Sequence, residues 1–216
     1  MPPPPPRSSA RASKRPWYLV AALIAAWVFG VGSWMDGCNA AAFFKGATVD
    51  IAATAQSLTD AQARDEVIAL GTQWLDVWAG AKNRALPLGI ASLLLGMAMA
   101  LLAMRSMMGQ AGARRALVQV VAVHAAVLVV TYYLTADVRV AEVAFQKALA
   151  VARIREQRPD GMTVAQMESM TGGVARLVAP LQLAFRTLAS ALIVLVLTRP
   201  RVRALYEPAA GTLPER

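Results

Sequence analysis

One cysteine, Cys38, and one histidine, His124, are all that this chain of 216 residues contains of either type. A single thiol excludes an internal disulfide, and with neither a CxxC pair nor a Cys/His cluster a closed zinc site has no ligands to draw on. One imidazole cannot hold a haem between two histidines of the same subunit. The sequence also lacks a P-loop, a glycine-rich dinucleotide turn and an ordered Ser, His and acid constellation. Acids are outnumbered, 13 Asp and Glu against 22 Lys and Arg for a net charge of +9. None of them falls inside the four long apolar runs. With no catalytic group to assign, the chain is expected to be neither an enzyme nor a cofactor carrier.

What the sequence has in abundance is apolar length, at 57 % hydrophobic residues. Four runs, 17–34, 85–104, 116–134 and 177–197, are each long enough to cross a hydrocarbon core of ~30 Å as a helix rising ~1.5 Å per residue. The expected fold is all-α, a polytopic membrane protein with four transmembrane helices and helical extracytoplasmic extensions. Its parts are a disordered basic arm (1–16), a first span (17–37), an outer helical segment (38–84), a second span (85–104) and a cytoplasmic loop (105–115). A third span (116–134), a second outer segment (135–176), a fourth span (177–198) and a cytoplasmic tail (199–216) follow.

Charge gives this topology a direction. The arm, the loop and the tail hold eleven Lys or Arg against two acids, Glu207 and Glu215, whereas the outer stretches between the apolar runs, 35–84 and 135–176, hold ten basic and eleven acidic residues. The positive-inside rule puts both termini in the cytoplasm. Eighteen Arg against four Lys, with much Ala, Val and Gly, points to a GC-rich bacterial gene, so the expected location is the inner membrane with the outer segments in the periplasm. The basic residues sit on short flanks, where they favour anionic inner-leaflet lipid. They are not gathered on a folded face with interleaved aromatics, so no nucleic-acid partner is expected. The lipid bilayer is one expected partner; a second protein or another copy of the chain is the other.

Five consecutive prolines open the arm and hold it extended without amide donors. A basic stretch before an apolar run also describes a signal peptide, but no clean small-x-small cleavage site follows. Gly37 before Cys38 offers a lipidation site, with Met35 and Asp36 a poor lipobox. Trp17, Tyr18 and Trp34 bracket the first span as headgroup-level anchors. Small residues recur in it at Ala21, Ala22, Ala25, Ala26, Gly30 and Gly32, and at Ser92, Gly96 and Ala100 in the second, so close helix approach is expected.

The outer segments read as helix. Thr59 and Gln62 have capping-box spacing, and Val67, Leu70, Trp74, Leu75 and Trp78 share a face that ends near Gly80. Trp74 and Trp78, one turn apart, are candidates either for packing or for a membrane-surface anchor. Asn39 to Gln56 is expected to extend the first span outward, and Pro87 to sit in the first turn of the second. Asp137 to Gln157 carries apolar residues at helical spacing, so the third span is expected to continue into it. Thr163 with Gln166 offers another capping box, and Gly172 with Gly173 is expected to end a short helix before the fourth span.

Function is expected from the polar residues inside the spans. Gln182, Arg186 and Ser190 follow one another at i, i+4 and i+8 on one face of the fourth helix. Arg186 lies ~13 Å below the outer end and His124 ~12 Å above the inner end of the third span, at similar depth. Arginine at that depth costs at least ~2.5 kcal/mol unless solvated, so it either faces the bundle interior or snorkels to headgroups. Its expected partners include Gln119, His124, Thr131 and Tyr132. His124 itself reads either as an interhelical hydrogen bond or as a proton or metal group. Met97, Met104 and Met108 share a face that serves packing or a soft metal. The leading expectation is a non-enzymatic subunit or assembly factor of a membrane complex. A small transporter or channel with a polar path around Arg186 is the alternative, and a sensor that signals to a separate cytoplasmic protein is the third.

Overall fold

A computed structural model describes residues 15–45, 49–157 and 164–206, and every regular element among them is helical. In chain order these are α1 (Trp17–Phe44), α2 (Ile51–Ala55), α3 (Ala61–Gly80), α4 (Lys82–Met107), α5 (Ala111–Leu134), α6 (Ala136–Gln157), α7 (Val164–Thr198) and α8 (Pro200–Tyr206). Stretches of α1, α4, α5 and α7 are long and apolar enough to cross a membrane. Their outward faces carry Leu94, Leu101, Val123, Leu181, Leu188 and Leu195, each more than half exposed. Such a continuous apolar coat would promote aggregation in water and is at home in lipid.

In the bundle, α1 packs on α4, α4 on α5, α5 on α7, and α7 back on α1, which closes a ring of four. Its near end, where α1 starts and α7 finishes, is a dry core of Leu19, Leu23, Met99, Leu117, Val121, Ile193 and Leu197. At the far end α2, α3 and α6 build a second core around Ile51, Leu58, Val67, Phe145 and Leu149. Ala81, Ala85 and Val138 join the two, with Phe44 and Trp78 packed against them. Only one residue, Thr135, separates α5 from α6, and α7 is 35 residues or ~52 Å long. These helices are therefore longer than a ~30 Å hydrocarbon layer is thick.

Glycine lets α1 and α4 approach backbone to backbone. A Cβ at Gly30 would lie 2.7 Å from the Ala100 nitrogen, and one at Gly96 would lie 2.6 Å from the Trp34 nitrogen. Gly37 meets Leu93 and the Gly89 carbonyl in the same way. Backbones can approach like this only where no side chain intervenes. Gly32, by contrast, has nothing within 4 Å of its Cβ position and plays no part in the contact. The turn after α4 rests on Gly109, whose φ of 84° favours a residue without Cβ.

Several local expectations are corrected. The cap of α3 is Asp60, whose carboxylate accepts from the Gln62 and Ala63 amides; Thr59 instead donates its amide and hydroxyl to Glu156 on α6. The first helix stops at Phe44, and Asp50 caps a separate short helix. Because α4 begins at Lys82, Pro87 lies inside it and not in its first turn. α7 runs unbroken through Gly172, Gly173 and Pro180, so the glycine pair ends nothing. The 105–115 segment shrinks to the short link between Met107 and Ala111. The tail after 198 begins as helix α8, which buries Val202 and Tyr206. The Thr163 capping box and residues 1–14 of the arm lie outside the described residues; Arg15, at the arm's end, donates to the Met107 carbonyl.

Candidate functional site

Halfway along the bundle, a cavity of about 270 Å³ opens between α1, α5 and α7. Each helix brings one stripe to it. Val28, Phe29, Gly32 and Ser33 come from two successive turns of α1, and His124 and Leu128 come from one turn of α5. Gln182, Phe185, Arg186 and Ser190 come from α7, the i, i+4, i+8 row with Phe185 beside it. Phe29 and Phe185 meet edge to face with centroids 6.2 Å apart, a contact that holds α1 and α7 together beside the cavity.

His124 forms part of the cavity wall. It is 2 % exposed, and neither Nδ1 nor Nε2 has a hydrogen-bond partner among the described residues. Both nitrogens are enclosed by neighbouring atoms, and a buried imidazole left in this state costs free energy. Ser190 is also buried, but its hydroxyl donates to the Arg186 carbonyl at 2.8 Å and is committed within its own helix.

Arg186 has a partner that the apolar runs did not suggest. Its Nη1 lies 3.2 Å from Oδ2 of Asp36, an acid two residues beyond the run that ends at Trp34. Because α1 continues as helix to Phe44, Asp36 stays on the bundle. Cα–Cβ bonds tilt toward a helix's own N-terminus, and α1 and α7 run in opposite directions, so the two side chains lean toward each other. The pair spares the guanidinium the cost of an unpaired intramembrane charge. The Arg186 side chain keeps 29 % of its surface exposed and that of Asp36 58 %, which places the pair at the cavity's rim.

The other expected site residues lie elsewhere. Gln119 is exposed and does not line the cavity: five residues before His124, it stands ~140° around α5. Thr131 donates to the Val127 carbonyl of its own helix, and Arg139 donates to the Tyr132 carbonyl and stacks over its ring. Trp17 and Trp34 are exposed, as anchors at headgroup level would be. Trp74 and Trp78 are not: Trp74 stacks on Phe145 with centroids 5.6 Å apart, and Trp78 packs on Phe43 and Phe44. Met97, Met104 and Met108 are exposed on the outer surface of the bundle. Cys38 is exposed on α1, in unbroken helix, where a lipobox would have to unwind to be cut.

A second hollow of about 360 Å³ between α3 and α6 has a floor of Ala63, Ala144, Ala148 and Ala152. Of its polar lining residues Gln62, Glu66 and Arg155 are exposed, and Lys147 is half-buried. Comparison with protein-family models, with curated proteins and with solved structures finds no match to this chain.

Proposed function

We propose that this chain is a non-enzymatic integral protein of a bacterial inner membrane that acts as an accessory subunit or assembly factor. Its near end faces the cytoplasm with both termini, following the sorting of basic residues, and its α2, α3 and α6 bundle stands in the periplasm. The observation that carries the choice between subunit and conduit is the division of the bundle's interior. Polar side chains line the cavity only as far as His124. Toward the near end Leu19, Leu23, Leu117, Val121, Ile193 and Leu197 fill the space, none more than 3 % exposed. A channel needs polar or hydrated surface along its whole length, and this interior supplies it along half.

Mild-detergent purification followed by native mass spectrometry, paired with anion-flux measurements on proteoliposomes, tests the proposal. A stoichiometric heteromeric assembly together with flux no greater than in protein-free liposomes is the expected result. Flux that disappears on Arg186→Leu would replace the subunit with a carrier.

A further inference from the structure

We propose that the cavity between α1, α5 and α7 binds the head of an anionic amphiphile, a carboxylate or phosphate on an apolar chain, and that this head displaces Asp36 from Arg186. The inference goes beyond the subunit reading, which stands whether or not the cavity is filled. Chemistry, shape and position support it.

The polar floor is suited to an acceptor. Arg186 can only donate, and its side chain keeps 29 % of its surface exposed at the cavity's rim, where an acceptor other than Asp36 can reach it. Ser190 spends its proton on the Arg186 carbonyl and supplies no donor. A head with clustered oxygens can take two bonds from the forked guanidinium. A cation would meet Arg186, and a purely apolar molecule would leave the guanidinium to Asp36.

The rest of the lining is apolar, with Val28, Phe29, Leu128 and Phe185 facing the same space. At about 270 Å³ the cavity falls just short of the ~300–1,000 Å³ pockets that enclose whole ligands. It therefore takes a head and the first few carbons. Val28 at 51 % and Phe185 at 63 % exposure flank the opening between α1 and α7, on the faces that lie against lipid chains. The remaining tail passes out between them into the bilayer, and the ligand enters sideways from the membrane.

Asp36 acts as the resident counter-ion. Removing it leaves Arg186 needing an anion, and removing Arg186 leaves Asp36 repelling one. The two substitutions therefore move affinity in opposite directions.

The test uses the full-length protein in nanodiscs of neutral phosphatidylcholine, titrated with radiolabelled dodecanoate against empty discs, with dodecanol as uncharged competitor. Saturable binding near one dodecanoate per chain is expected. Arg186→Gln should weaken it about tenfold or more, the scale of one charge-assisted hydrogen bond. Asp36→Asn should tighten it several-fold, a gain that a misfolded protein would not give. Native mass spectrometry from discs doped with phosphatidylglycerol separates the sources. Retained lipid that is lost in Arg186→Gln identifies a phospholipid head, and dodecanoate binding without retained lipid identifies a free acid. No saturable binding of either probe, equal competition by dodecanol, or Asp36→Asn weaker than the parent would each overturn the proposal.

Discussion

Two glycines two residues apart on α1 show how much depends on which way a residue points. Gly30 faces α4, where a Cβ would come within 2.7 Å of backbone that cannot retreat; Gly32 faces away with nothing within 4 Å. Gly30→Ala should therefore lower stability by ~1–3 kcal/mol, the range for overpacking a tight contact. Gly32→Ala should be neutral or should stabilise by up to ~1 kcal/mol through helix propensity. Thermal unfolding of both variants in one detergent checks the pair; equal shifts would mean that the α1–α4 contact is looser than described. Both glycines belonged to the same expected row of small residues, because composition reports size and not direction. Asp36 was missed for a related reason. It is the acid nearest to any apolar run, but hydropathy ends that run at Trp34 while the helix carries on to Phe44.

Helix ends carry the next level of organisation. The last carbonyls of α7 have no partner within their own helix, and Arg114, 7 % exposed in the first turn of α5, donates Nη1 to the Leu197 carbonyl at 2.6 Å. Tyr206 at the end of α8 donates to the Ser106 carbonyl at 2.8 Å, joining the end of α4 to the same clasp. Arg114→Met should leave a buried carbonyl unsatisfied and cost ~1–3 kcal/mol, seen as a lower unfolding midpoint. At the far end, Glu156 of α6 accepts the amide and hydroxyl of Thr59. These donors, the amide first, hold its carboxyl below the usual glutamate range. A depressed folded pKa contributes stability above the unfolded value of ~4.3 that is lost as pH falls through the folded value. The protection factor of the Thr59 amide should therefore fall below about pH 4, a dependence that Glu156→Gln should remove. The clasp is exposed, so the effect should stay local. Arg114 had been read as part of a cytoplasmic loop, where its charge counted toward orientation but its reach to α7 was invisible.

At the scale of the whole molecule, orientation is the property most open to direct measurement, and the chain carries its own probe. Cys38 is the sole cysteine and is exposed near the far end of α1. A membrane-impermeant maleimide should label it in spheroplasts without permeabilisation, whereas Arg201→Cys in a Cys38→Ser background should label only after lysis. The opposite pattern would reverse the proposed topology. The existence, order and approximate extent of the four apolar helices were legible in the sequence because hydropathy and the 3.6-residue period are properties of consecutive residues. The amphipathic run that became α3 was legible on the same grounds. What only the tertiary structure decided is the rotation and crossing of those helices. That brings Asp36 to Arg186 across 150 positions, sets His124 in the cavity wall beside the α7 row while Gln119 faces outward, and fills the near half with apolar side chains. The physical reason is that a helix's pattern states which residues share a face, whereas which face meets which neighbour depends on backbone contacts such as Gly30 with Ala100, made between residues remote in the chain.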